Sequence, residues 1–450
     1  MKRFACLICA LTLAILQPAV AQSVAFDQVR LIDVTTGEVS DPVRVTVRNG
    51  FIRAVNGDEE VDQVIDGSGH YLLPGLAEMH AHVPRMETGQ QVDDVLMLYL
   101  AHGITTIRGM LGEPGHLDLR RDLATGTRTG PRLITSGPSF NGNSVQSPEH
   151  AAEMVRTQAE AGYDFLKLHP GLWPEAFAAI VETADALGID YAGHVSVAVG
   201  LQRALDAGQA TIDHLDAYAQ ELVPEDHELH GAEPGFFGVN LAAAMDPDRI
   251  SHWAERTAAA GVWNVPTQTL IENLATGDLD ALINRPAMAW VPRETREQWA
   301  ARIISMRENY SAGDLERFVE IRRRLIGELH RAGAGILLGA DAPQIMNVPG
   351  DAIHHELEIY VESGLSPAQA LATGTVNVAR FLDQPAHGCV VPGCVANLVL
   401  LAENPLEEIR NSRSIAGVMR AGQWFDRNTL DQALADIARR AAGADADDSG

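Results

Sequence analysis

The stretch that decides the fold is residues 72–82, which read LLPGLAEMHAH. An apolar run passes through a Pro-Gly break and continues into two histidines separated by one residue. In an extended strand, side chains at positions i and i+2 point to the same face, so His80 and His82 should project together and can chelate one metal ion. Imidazole suits Zn, Fe, Ni and Cu alike, so this motif leaves the metal open. A chance pair of histidines on an exposed strand is the alternative.

The composition is that of a globular protein whose 450 residues are enough for one large domain or two. Hydrophobic residues make up 46% and charged residues 21% of the chain. The formal net charge of -26 results from 34 basic and 60 acidic residues, and we interpret it as an aid to solubility. Such a surface repels nucleic acid and anionic membranes, so neither is expected as a partner.

Residues 1–21 have the pattern of a secretory signal peptide. A positive start is followed by an apolar core, residues 4–16, and by a small-x-small cleavage site between Ala21 and Gln22. A membrane anchor is the alternative, but the apolar run is short, and no later stretch has the length of a membrane span. The mature protein is therefore expected to be exported, either to a periplasm or to the medium.

Both ends of the mature chain have the pattern of β-structure. Residues 22–73 alternate polar and apolar side chains around an Asn-Gly hairpin signal, and residues 384–429 contain further strand patterns. We predict one small β-sandwich built from both ends. Within it, Cys389 and Cys394 flank a Pro-Gly turn and are expected to form a disulfide in an oxidising compartment. Residues 430–450 predict a helix followed by a disordered, Asp-rich end.

The middle of the chain, residues 74–383, alternates strand patterns with amphipathic helices, several of which end at a glycine suited to the position after a helix. Regular alternation predicts a parallel sheet, and eight strands predict an α/β fold of the (β/α)8 TIM-barrel type. An open, doubly wound sheet is the alternative, although no Gly-rich phosphate loop supports it. The strand patterns are residues 80–82, 104–108, 132–135, 165–168, 191–195, 210–214, 262–266 and 336–341.

Six residues of metal-ligand type fall at the predicted strand ends, where the chemistry of (β/α)8 enzymes is located. Each alone has an ordinary structural explanation, but their joint placement favours a two-metal hydrolase. One histidine pair would hold each ion, the two ions would lower the pKa of a bridging water, and the aspartate would be both a ligand and the catalytic base. A protonated lysine offers no acceptor and is a poor bridging ligand. The six are His80, His82, Lys167, His194, His214 and Asp341.

Four further residues are candidate substrate contacts. Arg108 ends a predicted strand, and its guanidinium group can bind a carboxylate in a forked geometry; a structural salt bridge is the alternative. Tyr218, His227 and His230 belong to a long segment, residues 218–250, that is expected to lie over the mouth of the barrel.

Taken together, these motifs resemble the amidohydrolase superfamily over nearly the whole mature chain. Within it the chain is most similar to the imidazolonepropionase-related group, which includes metal-dependent Xaa-Pro and other dipeptidases and N-acyl amino acid hydrolases. The resemblance implies two divalent ions, zinc by preference, a Lys167 carboxylated by CO2 that bridges them, and Asp341 as the proton shuttle. The matching pieces are residues 74–76 with 80–82, 103–108, Lys167, 193–194, 212–214, 339–342, 355–358, 364–371, 372–379 and 397–401.

The chain departs from the usual pattern of the superfamily at three positions, Glu78, Gly109 and Asn397. The first two lie near the predicted site and leave the substrate less defined than the chemistry. The predicted function is an exported, metal-dependent amidohydrolase acting on small amides, either dipeptides such as Xaa-Pro or N-acyl amino acids. A lactonase or esterase on the same metals and a non-catalytic metal-binding barrel are the alternatives, and a homo-oligomer is left open. A nucleobase deaminase is disfavoured because a mononuclear site would not require Lys167.

Overall fold

The computed structural model describes residues 23–447. The predicted signal peptide, residues 1–21, lies outside them. Within the described part of the chain, no helix combines the length and the apolar character needed to cross a membrane.

The described chain alternates strands and helices in its middle and is rich in strands at both ends. In chain order the strands are β1 Ser23–Asp33, β2 Glu38–Val39, β3 Val43–Arg48, β4 Phe51–Val55, β5 Gln63–Asp66, β6 Tyr71–Pro74, β7 Leu76–Ala81, β8 Ile104–Gly109, β9 Arg132–Thr135, β10 Leu166–Leu168, β11 Tyr191–Gly193, β12 Thr211–Asp213, β13 Trp263–Val265, β14 Gly335–Ile336, β15 Leu398–Leu401, β16 Ile415–Arg420 and β17 Gln423–Asp426.

The α-helices lie mainly between the central strands. They are α1 Gln90–Ala101, α2 Gly115–Thr125, α3 Pro148–Ala161, α4 Pro174–Leu187, α5 Leu201–Asp206, α6 Tyr218–Glu221, α7 Ile250–Ala260, α8 Gln268–Ala275, α9 Leu279–Ile283, α10 Arg293–Arg307, α11 Ala312–Ala332, α12 Asp351–Glu362, α13 Pro367–Thr373, α14 Val376–Phe381 and α15 Arg427–Asp447. Short 3-10 helices add Met86–Thr88, Phe236–Leu241, Pro247–Arg249, Pro286–Trp290 and Ile409–Arg413.

The two ends of the chain pair directly with each other. Strand β15 runs antiparallel to β6, and the order β17-β16-β15-β6-β1-β3-β4 forms one hydrogen-bonded sheet, with β2 and β5 also on β1. The register of β1 shifts between Phe26 and Val29, so its first half pairs with β3 and β5 and its second half with β6. Strand β1 therefore links the strands from both ends of the chain by changing partners along its length, and the sandwich arrangement stays a prediction. Phe26, Leu72 and Leu398 share one apolar core.

The central strands form a TIM-barrel-like arrangement. Strands β7, β8 and β9 make one parallel sheet, and β10 to β14 make a second. Isolated parallel bridges, Ser136 to Phe165 and Ala81 to Ala342, join the two sheets at both seams. The strand residues are almost all buried, as expected for parallel strands that are covered by helices. A TIM-barrel-like α/β fold is confirmed, and its arrangement brings the ends of distant strands together.

Local sequence signals explain several helix boundaries. Helix α3 begins after Ser147, whose side chain accepts a hydrogen bond from the backbone N–H of His150, and it starts with a proline. Gly162, Gly188 and Gly333 follow their helices in the left-handed conformation that glycine tolerates best.

The C-terminal part differs from its prediction in one respect. Helix α15 continues to Asp447, so the Asp-rich segment is helical as far as that residue instead of disordered. Alanine is frequent in this segment and favours helix, and Leu430 and Ile437 anchor the preceding turns in the core. The predicted disulfide between Cys389 and Cys394 is present.

Candidate metal centre

The structure brings the six predicted ligand residues together at one end of the barrel. Each lies in a central strand or within a few residues of its carboxyl end, and five of them line one cavity of about 300 Å³, with Lys167 fully buried beneath it. The five that line the cavity are His80, His82, His194, His214 and Asp341.

The first group of donors consists of His80, His82 and Asp341, whose ligand atoms all lie within 4.8 Å of one another. Asp341 Oδ1 lies 2.7 Å from Nε2 of His82 and 3.6 Å from Nε2 of His80. Burial would raise the pKa of Asp341, but the neighbouring histidines and Lys167 outweigh it and hold that pKa below its ordinary value. Asp341 is therefore ionised at neutral pH, as a metal ligand and proton acceptor must be.

The second group consists of His194 and His214, whose ring centroids are 4.4 Å apart. Nδ1 of His194 lies 2.7 Å from a carboxylate oxygen of Asp216, and Nδ1 of His214 lies 2.8 Å from the hydroxyl of Thr267. These contacts orient each ring through Nδ1 and leave Nε2 to bind a metal, which is a common way to fix metal-ligating histidines. Only 4.5 Å separates the rings of His80 and His214, so the two groups adjoin.

Lys167 is completely buried below both groups. Its Nζ has no hydrogen-bond partner among the described residues, and the nearest carboxylate, Asp213 Oδ2, is 3.7 Å away. Burial lowers the pKa of Lys167, although Asp213 and Asp341 partly oppose this effect. A buried amine with a lowered pKa is a better nucleophile toward CO2 than an exposed ammonium.

Other buried polar atoms of the strand ends also lack a hydrogen-bond partner among the described residues. Nδ1 of His80 lies 2.8 Å from Oδ2 of Asp213, but the pair is not aligned as a hydrogen bond, and both atoms lack a partner among the described residues. One carboxylate oxygen of Glu78 is unpartnered as well. Buried polar atoms are rarely left without partners unless an ion or water completes the site. The histidine, carboxylate and lysine donors therefore fit a metal centre.

The backbone at the site is specialised. Gly193 has φ +121°, and a Cβ there would lie 2.5 Å from the carbonyl oxygen of Leu168 and 2.9 Å from Cδ of Lys167. His214 and Asp341 have φ values of 62° and 64°, in the left-handed region that non-glycine residues rarely adopt. Such strain concentrates at functional sites.

The interpretation of Arg108 as a substrate contact is wrong. This side chain is 1% exposed and lies inside the barrel. Its guanidinium group donates to the carbonyl of Met79 at 2.7 Å and pairs with Asp213 at 3.4 Å. The ring centroids of Phe165 and Phe381 lie 5.3 and 5.5 Å from its central carbon. Arg108 therefore neutralises Asp213, which in turn faces His80. The structural salt bridge is the correct alternative.

The three predicted contacts from the long segment are also placed elsewhere. Tyr218 is buried, and its hydroxyl bonds to the side chains of Thr257 and Asn264. His227 and His230 do not line the metal cavity, and the ring of His230 approaches the carbonyl of Val223 instead. The same segment does reach the cavity, but through Phe236 and Phe237.

Other residues that the sequence did not single out complete the cavity. His169 follows Lys167 at the i+2 position, and this spacing could have marked it in the sequence as a residue of the site. Burial and then the charge of Lys167 lower the pKa of His169 to about 2. Phe237 lies 5.1 Å from the ring of His214 and nearly parallel to the ring of His194. No local pattern marks the rest as cavity residues. The additional lining residues are His169, Phe236, Phe237, Leu270, Leu274, Arg302, Gln344 and Ile345.

The fold and this cluster define a TIM-barrel-like protein with a histidine-rich candidate metal centre. A sequence model of the amidohydrolase family matches residues 71–425. The chain belongs to this family, and the predicted resemblance is confirmed.

Comparisons with individual proteins agree with this assignment. An adenine deaminase of Listeria monocytogenes is 22% identical over 394 residues, which are 84% of this chain and 54% of the relative. An ochratoxinase of Aspergillus niger is 23% identical over 306 residues, or 66% of this chain and 51% of the relative. The chain spans about half the length of these curated relatives.

Solved structures with the same fold include a bottromycin amidohydrolase, with a TM-score of 0.74 and 24% identity over 93% of this chain and 90% of that one. A Xaa-Pro dipeptidase with bound methionine has a TM-score of 0.68 and 18% identity over 90% of this chain and all of its own. At these identities the likeness concerns the fold.

Proposed function

We propose that the protein is an exported, two-metal amidohydrolase that cleaves the amide bond of small molecules, dipeptides or N-acyl amino acids. The observation that carries this proposal is the convergence at one cavity of four histidines, Asp341 and a buried lysine that has no hydrogen-bond partner among the described residues. The family supports hydrolysis of carbon–nitrogen bonds. A cavity of about 300 Å³ suits a small substrate.

The donor set suggests how two divalent ions, zinc by preference, would be held. His80 and His82 would bind one ion, His194 and His214 the other, and Asp341 would complete the first group. Reaction of the Lys167 amine with CO2 would give a carbamate and release a proton, which supplies the anionic bridging donor that the lysine alone lacks. When bound, the ions would polarise the scissile carbonyl and lower the pKa of the attacking water.

The protein groups would then move the proton. Asp341 is ionised at neutral pH and can accept a proton from the attacking water on a carboxylate oxygen. The same oxygen would deliver this proton to the leaving nitrogen, so that a neutral amine departs. Phe236 and Phe237 line the cavity and would exclude bulk water from the reacting atoms.

The test is product analysis by mass spectrometry after a mixed library is incubated with mature protein supplied with zinc and bicarbonate. The library holds Xaa-Pro and other dipeptides, N-acyl amino acids, lactones and adenine, because adenine deaminases are among the relatives. We expect turnover of one amide class that falls at least about 100-fold in Asp341→Asn and Lys167→Ala. Turnover confined to lactones or to adenine would replace the proposed reaction on the same site. Metal binding with no turnover of any member would favour a non-catalytic barrel.

Export is a separate part of the proposal. It is supported by the signal-like residues 1–21 and by the Cys389–Cys394 disulfide, since such bonds persist in oxidising compartments. Expression of the full chain in a Gram-negative host, followed by N-terminal sequencing of the periplasmic fraction, tests it. We expect the mature protein to begin at Gln22, and an uncleaved chain in the cytoplasm would contradict export.

A further inference from the structure

One cationic side chain on the cavity wall is unpaired. Arg302, on helix α10, lines the metal cavity and takes part in no hydrogen bond or ion pair with any described residue. Arg307, on the same helix, instead donates to the backbone carbonyls of Asn273, Leu274 and Gly277. Arg307 thus has a structural role that Arg302 lacks.

The surroundings of Arg302 indicate what it would bind. Besides the metal-site residues, the cavity that Arg302 lines contains apolar side chains, among them Phe236, Phe237, Leu270 and Ile345. The formal net charge of the chain is -26, which disfavours the approach of an anion in general. An unpaired guanidinium group therefore creates a local site for a negative group, and its planar fork matches the geometry of a carboxylate.

The size of the cavity limits the distance between a carboxylate bound to Arg302 and the amide that reacts at the metal site. Arg302 and the metal-site residues line the same cavity of about 300 Å³, so one small molecule can contact both. In an N-acyl amino acid, a single carbon atom, the α-carbon, separates the amide nitrogen from the carboxylate. An apolar side chain on that carbon would lie against the aromatic and aliphatic wall.

We propose that Arg302 is a specificity-determining residue that binds the free carboxylate of an N-acylated amino acid with an apolar side chain. This inference rests on the proposed hydrolysis of small amides and narrows it to substrates whose leaving amine is an apolar α-amino acid. Arg302 contacts the substrate and does not take part in the bond cleavage.

A kinetic comparison tests this with two substrates that differ in charge. Acetate release is measured from N-acetyl-L-phenylalanine and from its carboxamide, by wild type, Arg302→Met and Arg302→Lys. We expect kcat/KM for the acid to fall about 10- to 100-fold in Arg302→Met, mainly through KM, because a charged hydrogen bond is lost. The carboxamide should be unaffected, and Arg302→Lys should restore part of the loss.

Arg53→Met is the matched control, since Arg53 is an exposed arginine on strand β4 outside the metal cavity. Its kinetics should equal those of wild type for both substrates. An equal loss for acid and carboxamide in Arg302→Met, or no loss for either, would overturn the assignment.

A binding measurement separates this inference from the proposed reaction. Calorimetric titration of zinc-loaded protein with 3-phenylpropanoate and 3-phenylpropanamide requires no turnover. We expect the acid to bind more tightly than the amide, and this preference to disappear in Arg302→Met but not in Arg53→Met. A preference that persists in Arg302→Met, or no preference in wild type, would overturn the role of Arg302 even if amides are hydrolysed. A preference that disappears without any amide hydrolysis would retain the carboxylate site and reject the proposed function.

Discussion

The strand ends of the barrel and the loops over its mouth differ in how their side chains are fixed. At the strand ends, His80 and Lys167 are buried, and parallel pairing determines their positions. Over the mouth, Phe237 and Arg302 come from segments far apart in the chain and are only partly buried or exposed. The strand ends thus form a floor that carries the candidate metal ligands, whereas the loops supply the surface that a substrate would meet. Breaking the floor should cost stability and metal binding, and altering the mouth should change substrate binding.

The largest effect is expected from Asp213→Asn in the floor. Asp213 is fully buried, faces His80 and Lys167, and is the counter-charge of Arg108. Loss of its charge leaves a buried guanidinium group without its partner, which should cost about 3–5 kcal/mol of unfolding free energy. Zinc affinity should fall about 10- to 100-fold as His80 loses its neighbouring carboxylate. Urea unfolding of the metal-free protein and metal analysis after dialysis measure the two effects.

Asp216→Asn is the control for this change. Asp216 also holds a candidate ligand, His194, but its side chain is partly exposed. Zinc affinity should fall to a similar degree, with a loss of less than about 2 kcal/mol of unfolding free energy. Equal losses of stability in the two variants would show that the burial of Asp213 and its pairing with Arg108 do not determine the cost.

Gly193→Ala should have the next largest effect. The new methyl group would lie 2.5 Å from the Leu168 carbonyl oxygen and 2.9 Å from Cδ of Lys167, at φ +121°. The strand or the lysine must shift, and we expect a loss of about 2–4 kcal/mol of unfolding free energy together with reduced zinc binding. Gly188→Ala is the matched control, because Gly188 also has a positive φ but has no atom near its Cβ position. It should cost about 1 kcal/mol and leave zinc binding unchanged; equal effects would refute the steric explanation.

The difference between floor and mouth also explains what the sequence predicts. The barrel class follows from the alternation of strand and helix patterns, and the metal-site residues follow from their places at strand ends, because both depend on local spacing. Arg108 also ends a strand, yet it points into the barrel toward Asp213. Only the packing of three distant strands decides that direction.

Which residues line the mouth depends on packing between segments that are distant in the sequence, and no local sequence pattern predicts such packing. Tyr218 and His230 have residue types typical of a binding site, but the first completes a buried hydrogen-bond network and the second lies outside the cavity. Arg302 is one of several arginines on a polar helix. Its role becomes visible only when α10 is placed beside the strand ends.

Phe237→Ala tests the mouth directly. Phe237 lies beside His194 and His214 and lines the cavity, but it is only half-buried. We expect KM for an apolar substrate to rise about tenfold through lost contact area, with little change in stability or zinc binding. His230→Ala, from the same segment but outside the cavity, should leave KM unchanged. A rise in KM in His230→Ala equal to that in Phe237→Ala would indicate a general disturbance of the loop.

The smallest effect is expected on the pH dependence of the unfolding free energy, through a buried histidine remote from the candidate metal ligands. His354 on α12 is buried far along the chain from the ligands; burial and then Arg413 hold its pKa well below its usual range, although Asp351 opposes them. Above about pH 6.5 the imidazole is neutral in both the folded and the unfolded chain, so it adds no pH dependence. Below that pH the unfolded chain binds a proton that the folded chain does not, so unfolding free energy should decrease by up to about 1.4 kcal/mol per pH unit.

His354→Gln removes the group that takes up this proton in the unfolded chain. The glutamine amide can still form hydrogen bonds with Ser412 and with the His102 carbonyl. Urea unfolding of metal-free protein between pH 6.5 and 5 should therefore show a shallower decline in the variant than in wild type. The exposed His252, replaced in the same way, is the control and should keep the slope of wild type, because it is solvated whether the chain is folded or not. An unchanged slope in His354→Gln would mean that the acid sensitivity of the scaffold comes from other buried groups.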